Sequence, residues 1–478
     1  MSAPLSDILE DRERSGLMAY ALILLFFSGF GLLLIAQPPI LIRFLGLIYL
    51  GSTMVVGLWL YFTRPALYLS YTFWIWFLSP FVRRYIDFAT GIYTPGEKAF
   101  ALLAPLGVSS LMLFDLVTRA KLLSRQPHRP LLLCLLGTVY GLVVGVVLNR
   151  PLPALIAFAE WLVPLLMAFY LSVHAHRYPQ YRSALQRTFT AAVFVLGVYG
   201  VAQYFYPAAW DRMWMVGSEM TSIGRPEPME VRVFGTLNAP GPYAMALLAG
   251  LLVTLSVRST MGRIAFLPGL MGLLLSMVRA AWGGFFVGLG AAVMRLKGLS
   301  RIRLLLVVLF LGATIVPLLN YGGVGSATTE RMESMQNIQS DGSFQARQRM
   351  YQTILFTALS NPIGYGLGSA HWDSGYVTIF WQLGWLGGAL YLIGYLLFAR
   401  SLLRVDPSDW FATVSFGIAV AFMVLMLLGS QHSGFNGLLQ WTFLAMACAS
   451  IQYGDCTREE ALSEEAPDSE EAVLATSY

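Results

Sequence analysis

IAFLPGLMGLLLSMVRAAWGGFFVGLGAAVM, residues 264–294, is a 31-residue apolar run broken by a single charge, Arg279. As one straight helix it would be about 46 Å long, against a bilayer core of about 30 Å. It would also carry the basic cluster Arg295, Lys297, Arg301 and Arg303 to the face opposite the other basic loops. Two short passes of about 22 Å each, meeting at Arg279, satisfy both constraints. Arg279 is then expected in a recess below the outer membrane surface. The competing reading is an arginine that only snorkels to the interface.

The rest of the chain has the same character. Of 478 residues, 57% are hydrophobic and 12% charged, and the mean hydropathy is +0.64. Soluble domains carry about 25% charged residues, so the composition predicts an all-α, polytopic membrane bundle. Apolar runs place spans at about 17–37, 42–62, 66–82, 98–118, 130–148, 153–174, 188–206, 238–257, 264–278, 280–295, 304–320, 376–399, 409–429 and 436–453. With fourteen spans, the loops rich in Arg and Lys all fall on one side, which the positive-inside rule makes cytoplasmic. Both termini are then cytoplasmic, and two long loops, 207–237 and 321–375, face outward. Residues 1–15 read as a polar tail, 16–453 as one membrane domain, and 454–478 as an acidic, disordered tail. The first apolar run begins near Gly16 without a small-residue cleavage site, so it is expected to be a true span. A net charge of +5 is small for this length and points to no nucleic-acid partner. Cys134, Cys448 and Cys456 have no metal spacing, and no metal or cofactor is expected.

Charge concentrates in one outward loop and the stretch it feeds, GYGLGSAHWDSGYVTIFWQLGWLGG (364–388). The loop supplies Glu330, Arg331, Glu333, Asp341, Arg347 and Arg349, and the stretch adds His371 and Asp373. Charge beside a bilayer is costly and marks a functional candidate. The outer face also carries Arg83, Arg84, Lys98, Arg150, Arg212, Arg225, Arg232 and Arg279. Arginine clamps phosphate through its planar fork, so the set is expected to hold an anionic headgroup such as a lipid-linked diphosphate. The alternative is that these arginines pair with Asp87, Asp211, Glu219, Glu227, Glu230, Glu330 or Asp341. His371 and His432 stand beside outward span ends as possible bases, whereas His128, His174 and His176 fall among cytoplasmic arginines. No Gly-x-Ser-x-Gly elbow and no phosphate-binding loop with lysine occurs, which leaves covalent-serine and ATP-driven mechanisms unsupported.

Four motifs resemble the O-antigen ligase/polymerase superfamily of bacterial polysaccharide assembly. They are Arg232-Val-Phe-Gly-Thr-Leu-Asn238-Ala-Pro-Gly, Ser276-Met-Val-Arg279-Ala-Ala-Trp282-Gly-Gly, Asn361-Pro-Ile-Gly-Tyr-Gly-Leu-Gly368, and Asp373-Ser-Gly-Tyr376 running into Leu383-Gly-Trp-Leu-Gly-Gly. Pro80-Phe-Val-Arg83-Arg84-Tyr-Ile-Asp87 and Trp210-Asp-Arg-Met-Trp look like the exopolysaccharide branch. The resemblance spans roughly residues 70–445 and implies metal-independent, inverting glycosyl transfer outside the inner membrane. Its donor would be a glycan on undecaprenyl diphosphate, with a flippase and a chain-length regulator as possible partners. It implies Asp373, His371 and Arg279 as catalytic residues. Arg83, Arg84, Arg212, Arg232, Asn238, Arg347 and Arg349 would bind the diphosphate or glycan. In the ligase frame a histidine precedes Gly-x-x-Gly, and here Asp373 occupies its place, which favours a polymerase over a ligase. On a helical approach His371 and Asp373 would not share a face, so one of them is expected to meet the substrate. A transporter is disfavoured because Glu160 is the one acid deep in an expected span and no repeat is seen.

Overall fold

The computed structural model describes residues 44–96, 99–296 and 348–465, together with positions 29, 31, 301, 302 and 345. The expected spans 17–37 and 304–320, the tail 1–15, Lys98, Arg331 and Arg347 lie outside these residues. Among the described residues the protein is all-α, without a β-strand. The helices are α1 Leu45–Thr63, α2 Pro65–Thr90, α3 Leu103–Ser110, α4 Leu113–Thr118, α5 Arg129–Leu148, α6 Pro151–Val173, α7 Tyr178–Phe205 and α8 Ala209–Gly217. They continue with α9 Pro240–Leu255, α10 Thr260–Leu275, α11 Arg279–Arg295, α12 Leu355–Ser360, α13 Gly375–Arg400, α14 Trp410–Leu425 and α15 Gly434–Glu465. Proline in the first turn opens α2, α5, α6, α7 and α9, where its missing N–H removes no helical bond.

Each expected span inside the described residues coincides with a helix or a run of helical pieces. Among the described residues, six helical segments are long and apolar enough to cross a membrane: Leu45–Thr63, Phe100–Thr118, Arg129–Leu148, Pro151–Val173, Ala175–Phe205 and Gly375–Arg404. Their outward faces are apolar as well. On α5, Leu136, Val139, Val143, Val146 and Val147 recur at helical spacing and all point out of the bundle, Val147 with 75% of its surface exposed. Such a stripe suits hydrocarbon and not water.

The 264–294 run is two helices, α10 and α11. Gly272, Gly269 and Gly262 of α10 lie against Tyr243, Leu251 and Thr254 of α9, so α10 runs antiparallel to α9. Gly284 and Gly288 of α11 lie against Leu248 and Leu252, so α11 runs parallel to α9. The chain therefore reverses between Leu275 and Arg279, through Met277 at φ +54°. Among the described residues, arginines from several loops gather at one end of the bundle. There Arg182, Arg258 and Arg263 line one cleft, and Arg295 donates to the carbonyls of Leu402, Leu403 and Val405.

Two boundaries differ from the sequence reading. The tail expected from residue 454 continues α15 to Glu465, because Thr457-Arg-Glu-Glu-Ala-Leu is built of good helix formers and Asp455 pairs with Arg404 at 3.1 Å. The loop 321–375 also does not stay outside. Its residues 361–368 enter the bundle between α5 and α13, and Leu367 is fully buried.

That entry repairs a broken helix. α13 unwinds at Gly384, at φ +62° and ψ −161°. The Trp381 and Gln382 carbonyls accept instead from the N–H groups of Tyr365 (2.8 Å) and Gly366 (3.0 Å), and Trp385 N–H donates to Pro362 (2.8 Å). Leu367 N–H donates to Gly141 of α5 at 2.9 Å, and the Asn149 amide holds the Tyr365 carbonyl at 2.8 Å. A side chain at Gly366 would come within 2.4 Å of the Gly145 backbone. At Gly384 it would come within 2.4 Å of Ile363. Gly366→Ala and Gly384→Ala are each predicted to cost at least 1–2 kcal/mol from the left-handed backbone alone, roughly, with the clash added. Gly283→Ala, whose Cβ meets nothing within 4 Å, serves as the control. Thermal unfolding in detergent should drop for the first two and not for the third; equal melting of all three would contradict this packing.

Candidate functional site

The strap 361–368 leads into a non-helical segment, 369–374, with bends at Ser369 and Asp373, that ends at the N-cap of α13. Ser374 caps the helix by accepting from Val377 N–H (3.4 Å), while its hydroxyl contacts the Met426 carbonyl (3.3 Å) and Tyr351 (2.9 Å). Gly375 N–H donates to Met426 at 2.7 Å. Trp372 is locked by Ser430, whose hydroxyl donates to its carbonyl (2.9 Å), and by Thr378 (3.2 Å). Its ring meets Trp381 edge to face at 5.1 Å, and Trp381 stacks on Tyr365 at 4.1 Å.

With Trp372 anchored, its two exposed neighbours share one cleft. His371 and Asp373 line a space of about 540 Å³ together with Arg349, Met350, Thr353 and Ile354. The chain between 369 and 374 is not helical, so no helical rotation sets residues 371 and 373 on different faces. The expectation that one of the two would face substrate assumed a helix there, and the structure corrects it. The opposite wall opens with a π-helical turn, Met350–Ile354, a distortion often found at functional sites. His371 is exposed at the cleft surface yet partly desolvated there. That desolvation lowers its pKa below the ordinary 6.5, so the ring is neutral near pH 7.

Beneath the cleft lies a layer that the sequence did not single out as site residues. His432 is fully buried against Trp161, with ring centroids 4.3 Å apart, and neither ring nitrogen has a hydrogen-bond partner among the described residues. Burial, with a smaller contribution from His371, lowers its pKa to about 3. It is a neutral, buried imidazole and not the exposed base considered from sequence. The side-chain oxygens of Gln382, Gln431 and Asn436 and the indole nitrogens of Trp372 and Trp381 are likewise buried without a protein partner among the described residues. Buried polar atoms normally find partners, so this concentration of unmet capacity is unusual. The run Gln431-His-Ser-Gly-Phe-Asn436 between two apolar helices was the available signal.

The arginines expected on the outer face divide. Arg83 and Arg84, expected at an anion site, are buried in protein pairs, because each has a carboxylate within reach and aromatic cover. Arg83 pairs with Asp87 at 3.0 Å, donates to the Thr94 carbonyl, and lies over the rings of Tyr93 and Trp214. Arg84 pairs with Asp211 at 3.2 Å and donates to the Gly235 carbonyl at 2.7 Å. Asp211 also accepts from Tyr199 and Gln203, both at 2.8 Å, and Gln203 accepts from the N–H groups of Phe234 and Gly235. This network clamps the 207–237 loop onto α2 and α7.

Arg212 is exposed and donates to the Pro207 carbonyl at 3.0 Å. Arg232 braces the reversal between α10 and α11, donating to Ser276 (3.4 Å) and Met277 (3.2 Å) as well as Ser222 (2.8 Å). Arg279, half-buried, is the first residue of α11 on the far side of that reversal. Asn238 is half-buried, and its side-chain oxygen has no protein partner among the described residues. Of the expected site residues, Arg349, His371 and Asp373 come together in the cleft; Arg83, Arg84, Arg212, Arg232, Asn238 and Arg279 are not in its lining.

If Arg84 serves structure, Asp211→Asn should cost about 3–5 kcal/mol by leaving a buried guanidinium without its counter-charge. Replacing both partners, Arg84→Met with Asp211→Leu, should recover much of that loss in thermal unfolding. An Arg84→Met protein that melts like wild type and loses only activity would return Arg84 to the site.

Compared with known families and with curated proteins, the chain matches no family model and no curated protein.

Proposed function

We propose that this protein is a polysaccharide polymerase of the inner membrane, joining glycan units carried on undecaprenyl diphosphate at the outer face. In this reading the bundle has fourteen spans, both termini are cytoplasmic, and the Arg349–His371–Asp373 cleft opens outward. The observation that carries it is the meeting of a guanidinium, an imidazole and a carboxylate in one cleft at a membrane-helix terminus. The layer of buried indole, amide and imidazole groups below suits a polyhydroxyl ligand, whose hydroxyls donate and accept in turn.

The chemistry needs three things. An acceptor hydroxyl oxygen attacks the anomeric carbon of the donor, and the bond from that carbon to the diphosphate oxygen breaks. The electron pair leaves on the diphosphate, where Arg349 offsets the growing charge in a poorly hydrated cleft. Asp373 orients the acceptor and takes its proton, with neutral His371 assisting. Arg279 and Arg347 are assigned to the donor side by the superfamily resemblance. A ligase passing the glycan to a lipid or protein acceptor is the second reading. It is favoured by one observation: His371 shares the cleft with Asp373, which stands in the ligase histidine's place.

Asp373→Asn keeps the shape and removes the charge. It should reduce polymer by about 10²-fold or more, the usual contribution of a positioned general base, while single lipid-linked repeats accumulate. His371→Gln should be milder. With purified protein, the wild-type rate should fall as acid protonates His371, at a midpoint below 6.5, and His371→Gln should lack that limb. Normal polymer from both variants would move the reaction away from this cleft. Loss of transfer to a separate acceptor, with chain length unchanged, would favour the ligase.

A further inference from the structure

A second, larger cleft of about 890 Å³ lies at the opposite end of the bundle. Helix α14 begins in it, and its far end reaches Met426, whose carbonyl holds Gly375 beside the His371 cleft. The sixteen residues of α14 separate the two by about 24 Å. The start of α7, the α9–α10 turn and the start of α14 form its walls, so it sits on a ring of helix ends.

Its charge is unbalanced. Arg182, Arg258 and Arg263 line it against one acid, Asp409, a net of +2 from three cations and one anion. Asp409 is already committed: it accepts from Tyr178 (2.7 Å) and the Ala412 N–H (3.0 Å), and faces Arg182 at 3.5 Å. Arg258 and Arg263 are exposed, and among the described residues no carboxylate lies within ion-pair distance of either. The Arg263 guanidinium makes one hydrogen bond, to Thr260 at 3.4 Å. Beside these two forks the wall mixes the apolar Leu255, Val257, Trp410 and Phe411 with the polar Gln186, Ser256, Ser259 and Ser408. Guanidinium forks next to an indole and aliphatic side chains, at the ends of membrane helices, match a phosphate attached to an acyl-bearing group.

We propose that this cleft binds the phosphate of an anionic phospholipid headgroup, with Arg258 and Arg263 as its principal ligands. A free phosphate offers the same charge to the forks and nothing to the apolar part of the wall. The proposal is independent of the reaction assigned to the other cleft.

The full-length protein in phosphatidylcholine nanodiscs, with and without added phosphatidylglycerol, provides the test. Native mass spectrometry should show phosphatidylglycerol retained by the wild type. Arg258→Gln with Arg263→Gln should weaken that retention by about tenfold for each fork lost. Arg258→Lys with Arg263→Lys, keeping charge without the fork, should fall between. Inorganic phosphate added to phosphatidylcholine discs should not raise the unfolding temperature. Equal retention by the wild type and the Gln pair would overturn the proposal, as would inorganic phosphate alone reproducing the stabilisation. If the Gln pair fails to fold, the Lys pair decides: reduced retention supports the site and unreduced retention refutes it.

Discussion

A helix that unwinds inside an apolar bundle exposes backbone donors and acceptors that water cannot reach, and each must find a partner. At Gly384 the partners come from the 361–368 strap, which takes the Trp381 and Gln382 carbonyls and returns a carbonyl to Trp385. Everything at the candidate site follows from that exchange. The strap is pinned between α5 and α13, the segment after it is non-helical, Trp372 is trapped, and His371 and Asp373 line one cleft.

Much of this was legible in the chain, and for identifiable reasons. Apolar runs located the helices because lipid-facing and core-facing positions are both apolar, so the length of the run survives without any knowledge of packing. The reversal at Arg279 followed from helix length and charge placement, two quantities that need no tertiary contact. The glycines of the strap stood out as a pattern, but their reason did not. The Gly145 backbone that excludes a side chain at Gly366 lies more than two hundred residues earlier.

The misreadings have two kinds of cause. Arg84 looked like an anion ligand because its partner, Asp211, is more than a hundred residues away and a pair closed by folding leaves no local signature, whereas Arg83 pairs one helical turn away with Asp87, an alternative the local spacing already offered. His432 looked outward because it stands at a span end, whereas Trp161 and the α14–α15 turn bury it. The helical approach assumed for His371 and Asp373 came from extending α13 backwards past Ser374, which in fact caps it. For Arg84 and His432 a tertiary neighbour decided the outcome; for Arg83 and the 369–374 segment the deciding contacts were local.

The central claim is that this one chain carries out glycosyl transfer between lipid-linked units. The most direct measurement reconstitutes the purified protein in nanodiscs with undecaprenyl-diphosphate-linked repeat units from the same cells, and follows products by mass spectrometry. The account predicts oligomers that grow by whole repeat units, with one undecaprenyl diphosphate released for each linkage formed. Folded protein that consumes no lipid-linked donor and releases no undecaprenyl diphosphate would contradict it.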